Sequence, residues 1–292
     1  MNDDEAVSVE HRPPEEVFEL LSNDLRVEIV QVLGEAGEAL TFSALRTAVS
    51  ERDSGKFNYH LQKLVGHFVT QDEDGYRLSF AGEQVYGAIL SGSYTANASI
   101  PPFEFDGPCP MCGHAILVAE YGNETALLYC PECDEWRNEF SFPPGTLDQF
   151  ARQELPFAFD RWMRATVMKF LQGFCENCGG RVDATLERAS SANSRPVRAV
   201  FECGRCDDEL RASPALPVLY HPVTISFFER YGVNVLHDPS WRYYGEDDDM
   251  LVEILDDDPL RARVSVTVDE TELVATVDHD VTIVDVAISG DD

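Results

Sequence analysis

From Pro14 onward the apolar positions recur at helical spacing, with Val17, Phe18, Leu20 and Leu21 forming one stripe. Asn23 and Asp24 offer an N-cap for a second helix over 25–33, which Gly34 and Gly37 are expected to end. Thr41 is placed to cap a third helix over 42–49, with Phe42, Leu45 and Val49 facing inward. A fourth is expected to start at a Ser54 cap. At the helical period its Phe57, Leu61, Leu64 and Val65 share one side. Tyr59, Gln62 and Lys63 fall opposite, flanked by Lys56, Asn58 and His60. Two short runs, 68–71 and 76–80, flank a turn ending in Asp74-Gly75, which predicts a β-hairpin. A last helix over 81–90 completes this part.

Small residues and the pair Pro101-Pro102 then mark a boundary over 91–102. Between 146 and 174 the apolar residues Leu147, Phe150, Phe157, Trp162, Val167, Phe170 and Leu171 return at helical spacing. Pro156 is expected to split them into a short helix and a longer one. Their aromatics read as core or interface. A helix is predicted over 223–231, followed by an acidic loop at 245–249. Four strands then follow over 251–255, 262–268, 273–277 and 281–288. Alternation such as Val264, Val266, Val268 predicts an antiparallel sheet with one buried face. The histidines here, His221, His237 and His279, are scattered and point to no chemistry.

The cysteines add the strongest chemical signal. All eight fall into Cys-x-x-Cys pairs: Cys109/Cys112, Cys130/Cys133, Cys175/Cys178 and Cys203/Cys206. A two-residue spacer lets both thiolates of a knuckle face one ion, and two knuckles complete a tetrahedral four-sulfur site. Gly113 and Gly179 follow the second cysteine of a knuckle, where the chain must turn sharply, and 190–194 reads as a hairpin tip. Two zinc ribbons are expected, although a rubredoxin-like iron site uses the same ligands. Four thiolates saturate the ion, so the expected role is structural. His114 reads as a turn residue beside the first knuckle.

Charge changes the picture in one respect. The chain carries 53 Asp+Glu against 22 Lys+Arg, a formal charge of −31, and lysine occurs only at 56, 63 and 169. Abundant carboxylates with scarce lysine are the pattern of proteins that work in multimolar salt. At ~1 M salt the Debye length is ~3 Å, so global repulsion from DNA would be screened. Two of the three lysines nevertheless lie on one face of the 54–66 helix, a candidate contact with phosphate. No apolar run reaches the ~18 residues that suggest a membrane span. The start of the chain is acidic, unlike a secretory signal, and a cytoplasmic location is expected.

Helix, helix, helix and a two-stranded wing is the order of a winged helix-turn-helix domain. The stretches 21–30 (Leu21-Ser-Asn-Asp-Leu-Arg-Val-Glu-Ile-Val), 40–45 (Leu40-Thr-Phe-Ser-Ala-Leu) and 52–61 (Arg52-Asp-Ser-Gly-Lys-Phe-Asn-Tyr-His-Leu) carry a more specific likeness. On them, residues 14–93 resemble archaeal, particularly haloarchaeal, ArsR-type winged-helix transcriptional regulators. The resemblance implies that Tyr59-His60-Leu61 belongs to a recognition helix entering the major groove, with the wing on the backbone. It also implies a dimer formed through the 81–90 and N-terminal helices. The wing tip Asp72-Glu73-Asp74 is acidic, leaving Arg77 as its candidate contact, and the domain lacks the cysteines of metal-sensing members.

The expected architecture is therefore α+β. An arm (1–13) precedes a winged helix-turn-helix domain (14–93) and a linker (94–104). Two four-cysteine zinc ribbons joined by helices (105–212) and a C-terminal antiparallel sheet with one helix (213–292) follow. The expected function is a transcriptional regulator that binds double-stranded DNA as a homodimer. Arg46, Arg52, Lys56 and Lys63 would lie near phosphates, and Asn58, Tyr59 and Gln62 near base edges. A protein-docking adaptor of the transcription machinery is the alternative. No phosphate-cradling glycine loop, nucleophile elbow or His-Glu-x-x-His motif occurs, so catalysis is not expected. No effector is indicated by the residues.

Overall fold

The structure, a computed structural model, describes residues 9–133, 135–189, 196–242 and 250–289. Most of the expected arm, the 190–194 hairpin tip and the 245–249 acidic loop lie outside the described residues. Contacts divide the chain into two units. Unit 1 is Met1–Ala96 with Pro143–Thr146, and unit 2 is Asn97–Phe142 with Leu147–Asp292.

Unit 1 contains α1 (Pro14–Glu19), α2 (Asp24–Ala36), α3 (Phe42–Ala48), α4 (Ser54–Leu64), β1 (Val69–Gln71), β2 (Tyr76–Leu78) and α5 (Phe80–Leu90). Its core joins Ile29, Val30 and Leu33 of α2 to Leu45 of α3 and to Phe57, Leu61 and Leu64 of α4. Phe42 meets the Phe57 ring edge-on, with centroids 5.0 Å apart. The antiparallel hairpin pairs Val69 with Leu78 and Gln71 with Tyr76.

Two local expectations need correction. Asp53, not Ser54, caps α4: its Oδ1 accepts from the N–H groups of Gly55 and Lys56 at 2.8 and 3.0 Å. A carboxylate suits this end of a helix, where free N–H groups concentrate positive charge. Gly34 does not end α2, which runs on to a left-handed Gly37. Gly34 instead lets α5 approach, because a Cβ there would lie 2.4 Å from the Tyr86 ring. Gly34→Ala is therefore expected to cost about 1–3 kcal/mol through overpacking, although alanine is the better helix former. Denaturant unfolding checks this.

Unit 2 opens with a four-stranded antiparallel sheet in sequential order: β3 (Ile100–Asp106), β4 (Ile116–Gly122), β5 (Thr125–Tyr129) and β6 (Arg137–Ser141). The expected linker at 94–104 thus contains most of a strand. Its prolines are tolerated because β3 is an edge, and the register slips between Ile100 and Phe103. Helix α6 (Leu155–Leu171) follows. Pro156 does not split it but occupies its first turn, where a missing N–H breaks no helical bond.

The sheet of β7 (Val182–Arg188), β8 (Val197–Cys203) and β9 (Glu209–Ala212) comes next, then α7 (Ala215–Leu219) and α8 (Pro222–Arg230). Strands β10 (Met250–Asp257), β11 (Leu260–Val268), β12 (Thr271–Val277) and β13 (Ile283–Ile288) form the last antiparallel sheet, in sequential order. Ala262, Val264, Val266 and Val268 are buried, as the alternation predicts. Among its described residues this region has two α-helices rather than the expected one helix. Nor does it have a core of its own: Leu186, Val197 and Phe201 share one cluster with Phe227, Val264 and Leu273.

The first sheet has a separate core, where Leu117, Tyr121 and Leu128 meet Phe159 of α6 and Trp241. Asp160 and Arg164, one turn apart on α6, are both buried, with Oδ2 and Nε 2.9 Å apart. Asp160 Oδ1 accepts from Ser240 N, and Arg164 Nη1 donates to the carbonyls of Val235 and Leu236. These bonds hold the segment leading to Trp241 against α6. Among the described residues, no helix is long and apolar enough to cross a membrane.

Candidate metal centres and the exposed face of the fourth helix

Hairpin topology brings the cysteine pairs together. Knuckle Cys109–Cys112 precedes β4, and knuckle Cys130–Cys133 follows β5, the strand that pairs back along it. Both knuckles therefore sit at one end of the sheet. The same logic places Cys175–Cys178 before β7 and Cys203–Cys206 at the end of β8, where Val182 pairs with Cys203. Gly113 and Gly179 adopt positive φ angles of 70° and 64°, and their N–H groups donate to the carbonyls of Cys109 and Cys175. That turn folds each of these two knuckles around its first sulfur.

The sulfur geometry fits a tetrahedral ion. Cys109 and Cys133 Sγ lie 3.6 Å apart, and Cys112 and Cys130 3.7 Å. In the second group Cys175–Cys206 and Cys178–Cys203 are 3.6 and 3.5 Å apart. A tetrahedron with metal–sulfur bonds of ~2.3 Å has edges of about 3.8 Å, whereas a disulfide needs ~2.05 Å. All four ligand atoms of each group lie within 4.8 Å of one another, so each group could hold one metal ion.

Backbone N–H groups of Met111 and Gly180 donate to Cys109 and Cys178 Sγ at 3.4 and 3.3 Å, contacts that would favour the thiolate form. Burial pushes the Cys109 thiol up to about 12. At Cys203 the N–H of Arg205 is the leading influence and pulls the thiol down to about 7. His114 contributes its backbone carbonyl to Cys109 N and belongs to neither sulfur group. One partner was not legible in the spacing: Asp208 Oδ2 lies 3.3 Å from Cys175 Sγ.

In unit 1 the core fixes which face of α4 is free. Phe57, Leu61 and Leu64 are completely buried, while Lys56, Asn58, Tyr59, Gln62 and Lys63 are exposed. Arg52 is exposed just before the helix, Arg46 is half-buried on α3, and Arg77 is exposed on β2. Several of these cations already have contacts. Lys56 Nζ meets Glu51 Oε2 at 2.7 Å, a pair that lowers the Glu51 pKa and raises that of Lys56. Arg77 Nη2 lies 2.9 Å from Asp72 and 3.7 Å from Asp74. Lys63 stands over the Tyr59 ring at 5.4 Å. Glu51 was missed as a partner because it sits in the loop before the helix, outside the helical pattern. His60 is half-buried, and burial, with Arg26 nearby, holds its pKa below the ordinary histidine range.

These features define a two-unit α+β chain with two four-cysteine groups, each able to hold a metal ion. Residues 106–283 match the family described as Domain of unknown function (DUF7351), and the chain belongs to that family. Residues 14–89 match a second one, Domain of unknown function (DUF7347). No curated protein and no solved structure matches the chain significantly.

Proposed function

We propose that this protein is a cytoplasmic DNA-binding transcriptional regulator in which unit 1 is a winged helix-turn-helix domain of ArsR type. Helix α4 reads the major groove, and zinc occupies the two four-cysteine groups as a structural ion. The observation that carries this reading is the division of α4. Three fully buried apolar residues lock it to α2 and α3, and amide, phenol and ammonium groups project from its other side. Asn58 and Gln62 suit adenine edges, Tyr59 tolerates several bases, and Lys63 suits phosphate. Arg46 and Arg52 flank the helix as further phosphate contacts, Lys56 adds another from its first turn, and Arg77 reaches the backbone from the hairpin. Phe18 of α1 and Phe80 and Leu90 of α5 are exposed, which supports a homodimer reading two half-sites. Saturation by four thiolates favours structural over catalytic metal, and no enzymatic role is proposed.

One observation favours a second reading, an adaptor that docks onto the transcription machinery. Acidic partners already hold Lys56 and Arg77, leaving fewer cations for phosphate. The double substitution Lys56→Glu, Lys63→Glu separates the two. A regulator loses promoter occupancy in chromatin immunoprecipitation, while an adaptor retains its protein partner in a pull-down. Both positions are exposed, so the fold should tolerate the change.

A further inference from the structure

A cavity of about 360 Å³ opens within unit 2, between the end of α6, strands β7 and β8, the α7–α8 turn and the β12–β13 turn. It falls within the usual size range of small-molecule sites, ~300–1,000 Å³. The apolar side chains of Phe170, Val182 and Phe201 line it and are almost wholly buried. The more exposed His221, Asp280 and Thr282 supply polar groups. Among the described lining residues there is one carboxylate and neither lysine nor arginine.

The turn that carries the carboxylate is held in a strained form. Val281, a buried β-branched residue of the lining, has φ +58°, in the left-handed region that such side chains avoid. Asp278 Oδ1 accepts from the N–H groups of Asp280 and Thr282, and Asp278 N donates to Thr282 O. Leu186 N of β7 donates to His279 O and anchors the turn to the sheet. Strain persists where the surroundings over-determine it, and such positions cluster at ligand clamps. Asp280 lines the same cavity as the rings of Phe170 and Phe201, and His279 Nε2 lies 3.0 Å from its Oδ1. His221 Nδ1 accepts from Val223 N, so in the neutral ring the proton sits on Nε2.

We propose that this cavity binds a small organic ammonium ion. Its apolar body lies on Phe170 and Phe201, and its cationic end meets Asp280, with the Tyr220 ring as a further attractive surface. A carboxylate in a lining without lysine or arginine disfavours an anion, and the floor disfavours an ion without an apolar body. The site lies wholly in unit 2, and the inference does not depend on DNA recognition.

Calorimetric titration of the full chain in molar KCl tests it, with phenethylammonium and benzyltrimethylammonium as probes. Phenethyl alcohol and phenylacetate are the neutral and anionic controls. Saturable binding of at least one ammonium is expected, with neither control matching it. Asp280→Asn should weaken that binding about tenfold, and Thr282→Trp should abolish it by filling the exposed side of the cavity. Both positions are exposed, and circular dichroism is the check that the variants fold. Absence of binding by both ammonium probes would overturn the proposal, and so would equal binding of phenethyl alcohol. Asp280→Asn binding the ammonium as tightly as the wild type would do the same.

Discussion

Replacing a single cysteine of either sulfur group, or chelating the ion, is expected to cost unit 2 its cooperative fold. The geometry would let four thiolates close around one ion in each group. Binding energy at structural zinc sites is about 10–16 kcal/mol near neutral pH, and it is folding energy. A domain's whole stability is only about 5–15 kcal/mol, so on the proposed zinc assignment losing the ion removes a comparable amount. Two substitutions separate metal loss from core loss. Cys203 is completely buried at the end of β8, whereas Cys112 is exposed. If the ion supplies the stability, Cys203→Ser and Cys112→Ser both melt unit 2 early, and elemental analysis finds about one ion fewer per chain. If the sulfurs act only as apolar filling, Cys112→Ser is silent. Acidification acts in the same direction as chelation, because protons compete for the thiolates.

The second large effect concerns Asp160. Its substitution by alanine removes the carboxylate beside a buried guanidinium, which typically costs about 3–5 kcal/mol. Arg164 keeps its bonds to the carbonyls of Val235 and Leu236 but loses its counter-charge, and Ser240 N loses its acceptor. The damage should spread to Trp241, which that segment delivers into the core beside Phe105 and Trp136. Thermal unfolding should shift down, and tryptophan emission should shift red in the folded baseline. The double substitution Asp160→Leu, Arg164→Met should recover much of the loss, since a buried pair stabilises little over an apolar replacement. No recovery would mean that the polar bonds to 235–240, rather than the unpaired charge, carry the cost.

What could be read in advance was set by local rules. The Cys-x-x-Cys spacing announced both sulfur groups because one turn of backbone decides whether two thiolates can share an ion. The buried face of α4 followed from the positions of Phe57, Leu61 and Leu64, and the C-terminal strands from alternation at Val264, Val266 and Val268. The errors arose where a distant residue overrode a local signal. Gly34 looks like a helix stop until Tyr86 arrives from α5. Pro101 and Pro102 look like a linker until β4 supplies a partner for the edge strand. Pro156 reads as a breaker, but its effect depends on whether it falls inside the helix or in its first turn. The merger of the second ribbon with the C-terminal sheet depends on long-range packing that no local pattern carries.

The pairing of Lys56 with Glu51 bears most on function. It makes the basic side of α4 smaller than the sequence suggests and, on the proposed DNA-binding reading, shifts the burden of recognition to Asn58, Tyr59, Gln62 and Lys63. Exposed pairs contribute little to stability, so Glu51 restrains Lys56 without fixing it. A phosphate oxygen can compete for the same ammonium.

The most direct measurement is a DNase footprint of the full chain on its own promoter region in molar KCl, repeated with Asn58→Ala and Gln62→Ala. A protected site is predicted for the wild type, with two half-sites about one helical turn apart. Each substitution should weaken protection by about 1–3 kcal/mol if its amide reads a base. No protected site, or one that both variants occupy as tightly as the wild type, would contradict the assignment of α4 as a DNA-reading helix.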